Sequence, residues 1–255
     1  MLAMGAGLVT MLAAGAAGAA APGPRTRNVA VVLYEGVEVL DFSGPAEVFA
    51  AAAGFAGLAD DRPAFRTYTM GATKDPITSQ GFVKILPEFS IEDAPKPDVL
   101  VLPGGSSGRL TNDPKFMAWV AAAMRDAEVT LTVCTGAFVA AKAGALDGKT
   151  ATTWYDAIER LRQAAPRTTV QEGRRFVDNG NVVTTAGVSA GIDGALHVVA
   201  RLVGRSAADR TARYMEYHWS PESYLARSYS YLNPGLDDAG RAAQQAALLE
   251  DGKRR

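Results

Sequence analysis

The chain has 255 residues, 48% of them hydrophobic and 21% charged, which suffices for a substantial core and excludes wholesale disorder. Its 26 basic and 27 acidic residues leave a net charge of -1, which argues against a nucleic-acid partner held by phosphate contacts. One cysteine, Cys134, excludes an intrachain disulfide framework and a multi-thiolate metal site, and two histidines, His197 and His218, leave little for a His-rich centre.

Residues 1–24 carry no charge, and Ala17-Gly18-Ala19 offers a small-x-small cleavage site before Pro22-Gly23-Pro24. This reads as an export signal, although no Lys or Arg precedes the apolar run. The expectation is an exported protein, periplasmic or secreted, with no stable membrane insertion after cleavage. A retained anchor is the alternative, and a misassigned start would make the protein cytoplasmic.

Residues 28–33 form a continuous apolar run, as in a strand buried on both faces. A helix is predicted over 44–53, with Ser43 as N-cap and Pro45 in its first turn. A strand follows at 65–70, then a hairpin over 77–86 turning near Gln80-Gly81. Residues 99–102 are another buried strand, and Asn112-Asp113-Pro114 opens a helix running to about Arg125. A strand at 129–133 leads through Cys134-Thr135-Gly136 into a helix over 137–143, and 156–164 is a further helix. Residues 176–184 form a hairpin with an Asn179-Gly180 turn. Apolar residues at 192, 195, 196, 199, 202 and 203 give a helix over 190–203 an inward stripe. Strands alternating with helices imply one doubly wound α/β domain over 25–233 built on a parallel sheet, followed by a polar tail over 234–255.

In such a sheet, sites form outside the carboxyl ends of the strands. Three of those ends carry informative residues: Asp41 after the first strand, Pro103-Gly104-Gly105 after the strand at 99–102, and Cys134-Thr135-Gly136 after that at 129–133. Cys134 sits in a strand-to-helix elbow that presents its side chain, with a helix N-terminus behind it to favour a thiolate. The amides of Gly104, Gly105 and Thr135 are candidate oxyanion donors, and the Thr135 hydroxyl a candidate donor to substrate or water. Asp41 is the candidate acid/base; against Cys134 its pKa rises and one proton is shared. A phosphate cradle at 104–108 lacks the P-loop Lys. Gly187-Val188-Ser189-Ala190-Gly191 fits a rival G-x-S-x-G elbow, with Asp193 or Asp209 and His218 as partners, or else a helix start made for close packing. His218 also suits a Cys-His-Glu glutaminase triad, and His197, mid-helix, reads as structural.

Between Asn28 and about His218, five motifs in order resemble the DJ-1/PfpI superfamily, whose fold is flavodoxin-like and related to class I glutamine amidotransferases. They are Leu40-Asp41-Phe42-Ser43-Gly44-Pro45; Leu102-Pro103-Gly104-Gly105; Val133-Cys134-Thr135-Gly136-Ala137; the stretch from Leu146 to Thr153; and that from Ala186 to Asp193. The likeness is greatest to the isonitrile hydratases and to the sensor domains of AraC-type regulators. It implies a hydro-lyase or hydrolase acting through Cys134, Asp41 and Thr135, with no metal or organic cofactor. A small-molecule substrate and a homodimer are likewise implied. Another small-substrate reaction on the same residues, or a non-catalytic ligand-binding or redox-sensing role for Cys134, is the alternative. Relatives often carry His after the paired Thr, where this chain has Thr153-Trp154-Tyr155, so activities that lean on a Cys-His pair are disfavoured.

Overall fold

The computed structural model describes residues 25–55 and 62–220. The expected export segment, residues 221–233 of the expected domain and the polar tail lie outside them. Strands β1 (Arg27–Val32), β2 (Phe65–Gly71), β3 (Ile77–Ser79), β4 (Val83–Ile85), β5 (Phe89–Ser90) and β6 (Val99–Leu102) occupy the first half of the chain, with helix α1 (Val39–Ala52) after β1. Next come α2 (Gly108–Thr111), α3 (Pro114–Asp126), β7 (Val129–Thr132), α4 (Gly136–Lys142) and β8 (Thr150–Ala151). After them follow α5 (Ile158–Ala164), β9 (Thr169–Val170), β10 (Phe176–Asp178), β11 (Val182–Thr185), α6 (Ala190–Val203) and α7 (Arg205–Tyr214).

The central sheet has the order β10-β11-β7-β6-β1-β2-β5. Every pairing is parallel except that of β10 with β11, so the predicted Asn-Gly hairpin supplies an antiparallel edge. The parallel strands β2-β1-β6-β7-β11 follow the flavodoxin-like winding, with the direction reversing between β1 and β6. Alternation along the strands divides the core. Val29, Val31, Val99 and Val101 pack with Phe49 of α1 and Leu196 of α6 on one face. Ala30, Val32, Leu100 and Leu102 pack with Phe116 and Val120 of α3 on the other. Burial on both sides is why these strands read as unbroken apolar runs.

α1 starts five residues before its predicted start, at Val39. Ser43 is therefore not its N-cap; its hydroxyl donates to the Val39 carbonyl, one turn back. Pro45 lies inside the helix instead of in its first turn, and Asp41 moves from a loop into that first turn. The reading placed the start at the residues that usually open helices, but tertiary packing of Val48 and Phe49 secures the segment despite the proline. α3 opens at the predicted Asn112-Asp113-Pro114, with the Asp113 carboxylate capping it by accepting from the amides of Lys115 and Phe116. α6 has its predicted bounds.

Two glycines set how closely layers approach. A Cβ on Gly194 would stand 2.4 Å from Thr185 Cγ2, so α6 rests directly on β11. A Cβ on Gly136 would stand 2.0 Å from the Leu102 carbonyl oxygen, so the α4 start abuts the end of β6. Gly136→Ala should destabilise by about 1–3 kcal/mol, since backbone must move to admit the methyl group. Gly54→Ala, with open space around it, should change stability by less than about 0.5 kcal/mol. Urea unfolding of both variants checks this; equal stabilities would show that the two layers do not touch as described.

Candidate active site

The reversal point between β1 and β6 brings the first two informative strand ends together, and β7 delivers the third beside them. Asp41, in the first turn of α1, is fully buried. Its Oδ2 accepts the Gly104 amide at 2.8 Å, and a Cβ on residue 104 would come within 2.7 Å of that same oxygen. The glycine is required because the carboxylate occupies the space a side chain would fill. Asp41 Oδ1 has no partner of ordinary hydrogen-bond geometry.

Cys134 occupies the elbow with φ of +56°, a left-handed conformation that costs an L-residue roughly 1–2 kcal/mol. Its amide donates to the Ala186 carbonyl at 3.0 Å, and its carbonyl accepts the Thr153 hydroxyl at 2.7 Å. These two clamps hold the strained residue in place. The side chain is buried rather than presented, with 7% of the residue exposed.

Burial pushes the Cys134 thiol up to about 12, and the nearby Asp41 charge adds to the rise. The Thr135 and Val188 amides favour the thiolate and only partly offset this. The expectation that the helix N-terminus favours a thiolate is therefore corrected: desolvation outweighs a helix of seven residues. Burial likewise raises Asp41 to about 7, with Glu38 contributing; the Gly104 amide, the Cys134 thiol and the Val188 amide pull the other way. Thiol and carboxyl share one desolvated site, as the sequence suggested.

Two other expectations change in detail. The Gly104 and Gly105 amides already have partners, Asp41 Oδ2 and Thr135 Oγ1 at 3.0 Å. The Thr135 hydroxyl is itself engaged, donating to the Gly105 carbonyl at 3.2 Å. The amides aimed at the sulfur are those of Thr135 and Val188. Val188 was not foreseen; φ of +48° at a β-branched residue marks it, and no residue-type signal announces that. Thr153 and Trp154 also belong to the site: the Thr153 hydroxyl holds the Cys134 carbonyl, and Trp154 lines the space beside the thiol.

The rival serine is otherwise engaged. Ser189 Oγ accepts from Arg175 at 3.1 Å, and Arg175 also pairs with buried Asp193, which the Tyr217 hydroxyl meets at 3.1 Å. Asp209 pairs with Arg205. His218 is exposed, with Nε2 3.3 Å from Ser220 Oγ. His197 binds Asp178 at 2.7 Å and rests on Phe176, the structural role expected of it. The Gly-rich start of α6 serves close packing: a Cβ on Gly191 would meet Val133 at 2.9 Å.

A cavity of about 740 Å³ opens beside Cys134. Glu38, Thr135, Val188 and Trp154 line it near the thiol, and Phe138 extends its apolar wall.

The sequence pattern of the DJ-1/PfpI family matches residues 27–201. The chain belongs to that family. An isonitrile hydratase from Pseudomonas putida is 31% identical over 223 residues, spanning 87% of this chain and 92% of that protein. A solved ThiJ/PfpI family protein from Pseudomonas syringae superposes with a TM-score of 0.68 at 25% identity, covering 94% of this chain and 93% of that one. The regulator GbdR of Pseudomonas aeruginosa is 25% identical over 190 residues, and this DJ-1/PfpI chain spans half of its length. An AraC family regulator from Pseudomonas putida shares the fold, with a TM-score of 0.61 at 18% identity.

Asp41→Asn removes the charge that helps raise the thiol. The pH midpoint for alkylation of Cys134 by iodoacetamide should therefore fall, and any limb near pH 7 due to Asp41 should vanish. A midpoint that stays or rises in the variant would mean the two groups do not interact.

Proposed function

We propose that this DJ-1/PfpI protein hydrates isocyanides, R–N≡C, to N-substituted formamides. The observation that carries the reading is the buried pairing of Cys134 with Asp41, and the likeness to an isonitrile hydratase over most of both chains supports it.

The isocyano carbon accepts a nucleophile and then a proton, so the site needs a thiol and a group that takes and returns one proton. Asp41 takes the thiol proton, and the thiolate forms a C–S bond to the terminal carbon. Moving that proton discharges Asp41, which removes the repulsion that raised the thiol, so thiolate becomes less costly as it forms. Asp41 then returns the proton to the same carbon, giving the thioimidate R–N=CH–S. Water adds to this carbon, its proton passing through Asp41 to nitrogen. The C–S bond breaks, the hydroxyl proton returns to sulfur, and R–NH–CHO leaves. The balance is R–N≡C plus water. The Thr135 and Val188 amides hold the negative charge at sulfur during addition and departure. Trp154 and Phe138 present apolar surface to the bound substrate.

A redox-sensing role draws less support, because oxidation favours exposed thiols of low pKa and Cys134 is buried with its thiol raised.

With cyclohexyl isocyanide, wild type should produce N-cyclohexylformamide. Cys134→Ala should abolish it, Asp41→Ala should lower kcat by about 10²–10⁴, and Ser189→Ala should keep the bulk of it. Gas chromatography of the product decides, and absence of formamide with wild type would sink the reading for this substrate.

A further inference from the structure

The cavity beside Cys134 has a polarity that hydration alone does not require. It follows one side of α4: Cys134 and Thr135 at its start, Phe138 a turn on, and Ala141 and Lys142 a further turn on. α5 contributes Arg160 and Ala164, four residues apart and therefore on one helix face. Near the thiol the lining is acidic, with Glu38 on the wall and Asp41 beneath. Away from it the lining turns basic. The Arg160 guanidinium lies 5.9 Å from the centre of the Phe138 ring, and the Lys142 ammonium donates to the Thr111 carbonyl.

Neither cation has a carboxylate partner among the described residues. Nearby cations do: Arg162 pairs with Glu159, and Arg167 with Asp147. Other cations, Arg109 and Lys149 among them, also lack a carboxylate partner among the described residues, but Arg160 and Lys142 are the ones that line the cavity. Its 740 Å³ also falls within the roughly 300–1,000 Å³ typical of sites for drug-sized ligands, so it accommodates more than an isocyano group on one ring.

We infer that the site takes isocyanides whose R group is a chain ending in a carboxylate, with the isocyano carbon at Cys134 and the carboxylate received by Arg160 and Lys142. This rests on the hydratase reading of the same site. Phe138 and Lys142 lie four and eight residues beyond Cys134, the second stretch wholly along α4, which at 1.5 Å per residue is about 6–12 Å. A short aliphatic spacer covers that distance, and Phe138 and Ala141 pack against it. A carboxylate directly beside the isocyano group falls short of the cations and meets Glu38 and Asp41 instead.

The test compares 6-isocyanohexanoate with its methyl ester, in wild type and in an Arg160→Gln/Lys142→Gln double variant. Wild type should prefer the acid by roughly five- to tenfold in kcat/KM at low salt, less at high salt, and the double variant should bring the ratio near one. Equal turnover of acid and ester by wild type, or an unchanged ratio in the double variant, overturns the inference while leaving hydration standing. A second arm needs no turnover: labelling of Cys134 by 6-maleimidohexanoate against its methyl ester. If no isocyanide reacts, the hydratase reading fails on its own. The labelling ratio then decides recognition of the anion, and equal labelling rates for acid and ester overturn it.

Discussion

Asp41 carries a carboxyl group out of water and sets it against a thiol, and much of the upper edge of the sheet follows from accommodating that arrangement. An ionised carboxylate in such a place is costly unless hydrogen bonds reach it. The Gly104 amide does so only because residue 104 lacks a Cβ. Gly136 lets the α4 start close against the end of β6, which sets Thr135 beside the Gly104-Gly105 turn. Cys134 and Val188 both adopt positive φ, so that a thiol and an amide reach the same small volume. Each of these local strains costs free energy that the doubly buried sheet beneath supplies.

The sheet was legible because its signal is redundant. Every residue of Val99–Leu102 is buried, and no register error could expose such a strand without a large penalty. The converging strand ends were legible for the same reason, since a parallel sheet with known winding dictates where they meet. The start of α1 was not, because Ser43 and Pro45 are good opening residues, and burial of Asp41 together with packing of Val48 and Phe49 overrides them. The site's donors were harder still. Sequence names residues, whereas an amide is shared by all of them. Val188 turns its N–H toward sulfur at a positive φ, whereas the Gly105 amide meets the Thr135 hydroxyl, and residue type announces neither.

The thiol's ionisation shows how magnitudes decide between two correct principles. A helix N-terminus does favour a thiolate, by a modest amount at the first turn of a short helix. Desolvation works in the opposite direction and is larger, and the carboxylate next door adds to it. The result is a thiol whose ionisation is disfavoured in the free site. In the proposed reaction its proton moves to a carboxylate that itself sits near neutrality.

Trp154 gives this arrangement its chemical consequence. Among the described residues that line the cavity there is no imidazole, and the acidic groups acting on the thiol are Asp41 and, more weakly, Glu38; in the proposed reaction Asp41 carries the thiol's proton. An imidazole next to sulfur would tend to give a standing ion pair, reactive toward many electrophiles. A carboxylate instead couples thiolate formation to its own loss of charge, so the sulfur gains little by ionising until a carbon is there to bond. That suits an electrophile whose carbon needs both an attacking group and a proton, and it disfavours adventitious oxidation. In the proposed reaction the indole of Trp154 lines the cavity beside the thiol and leaves the proton with Asp41.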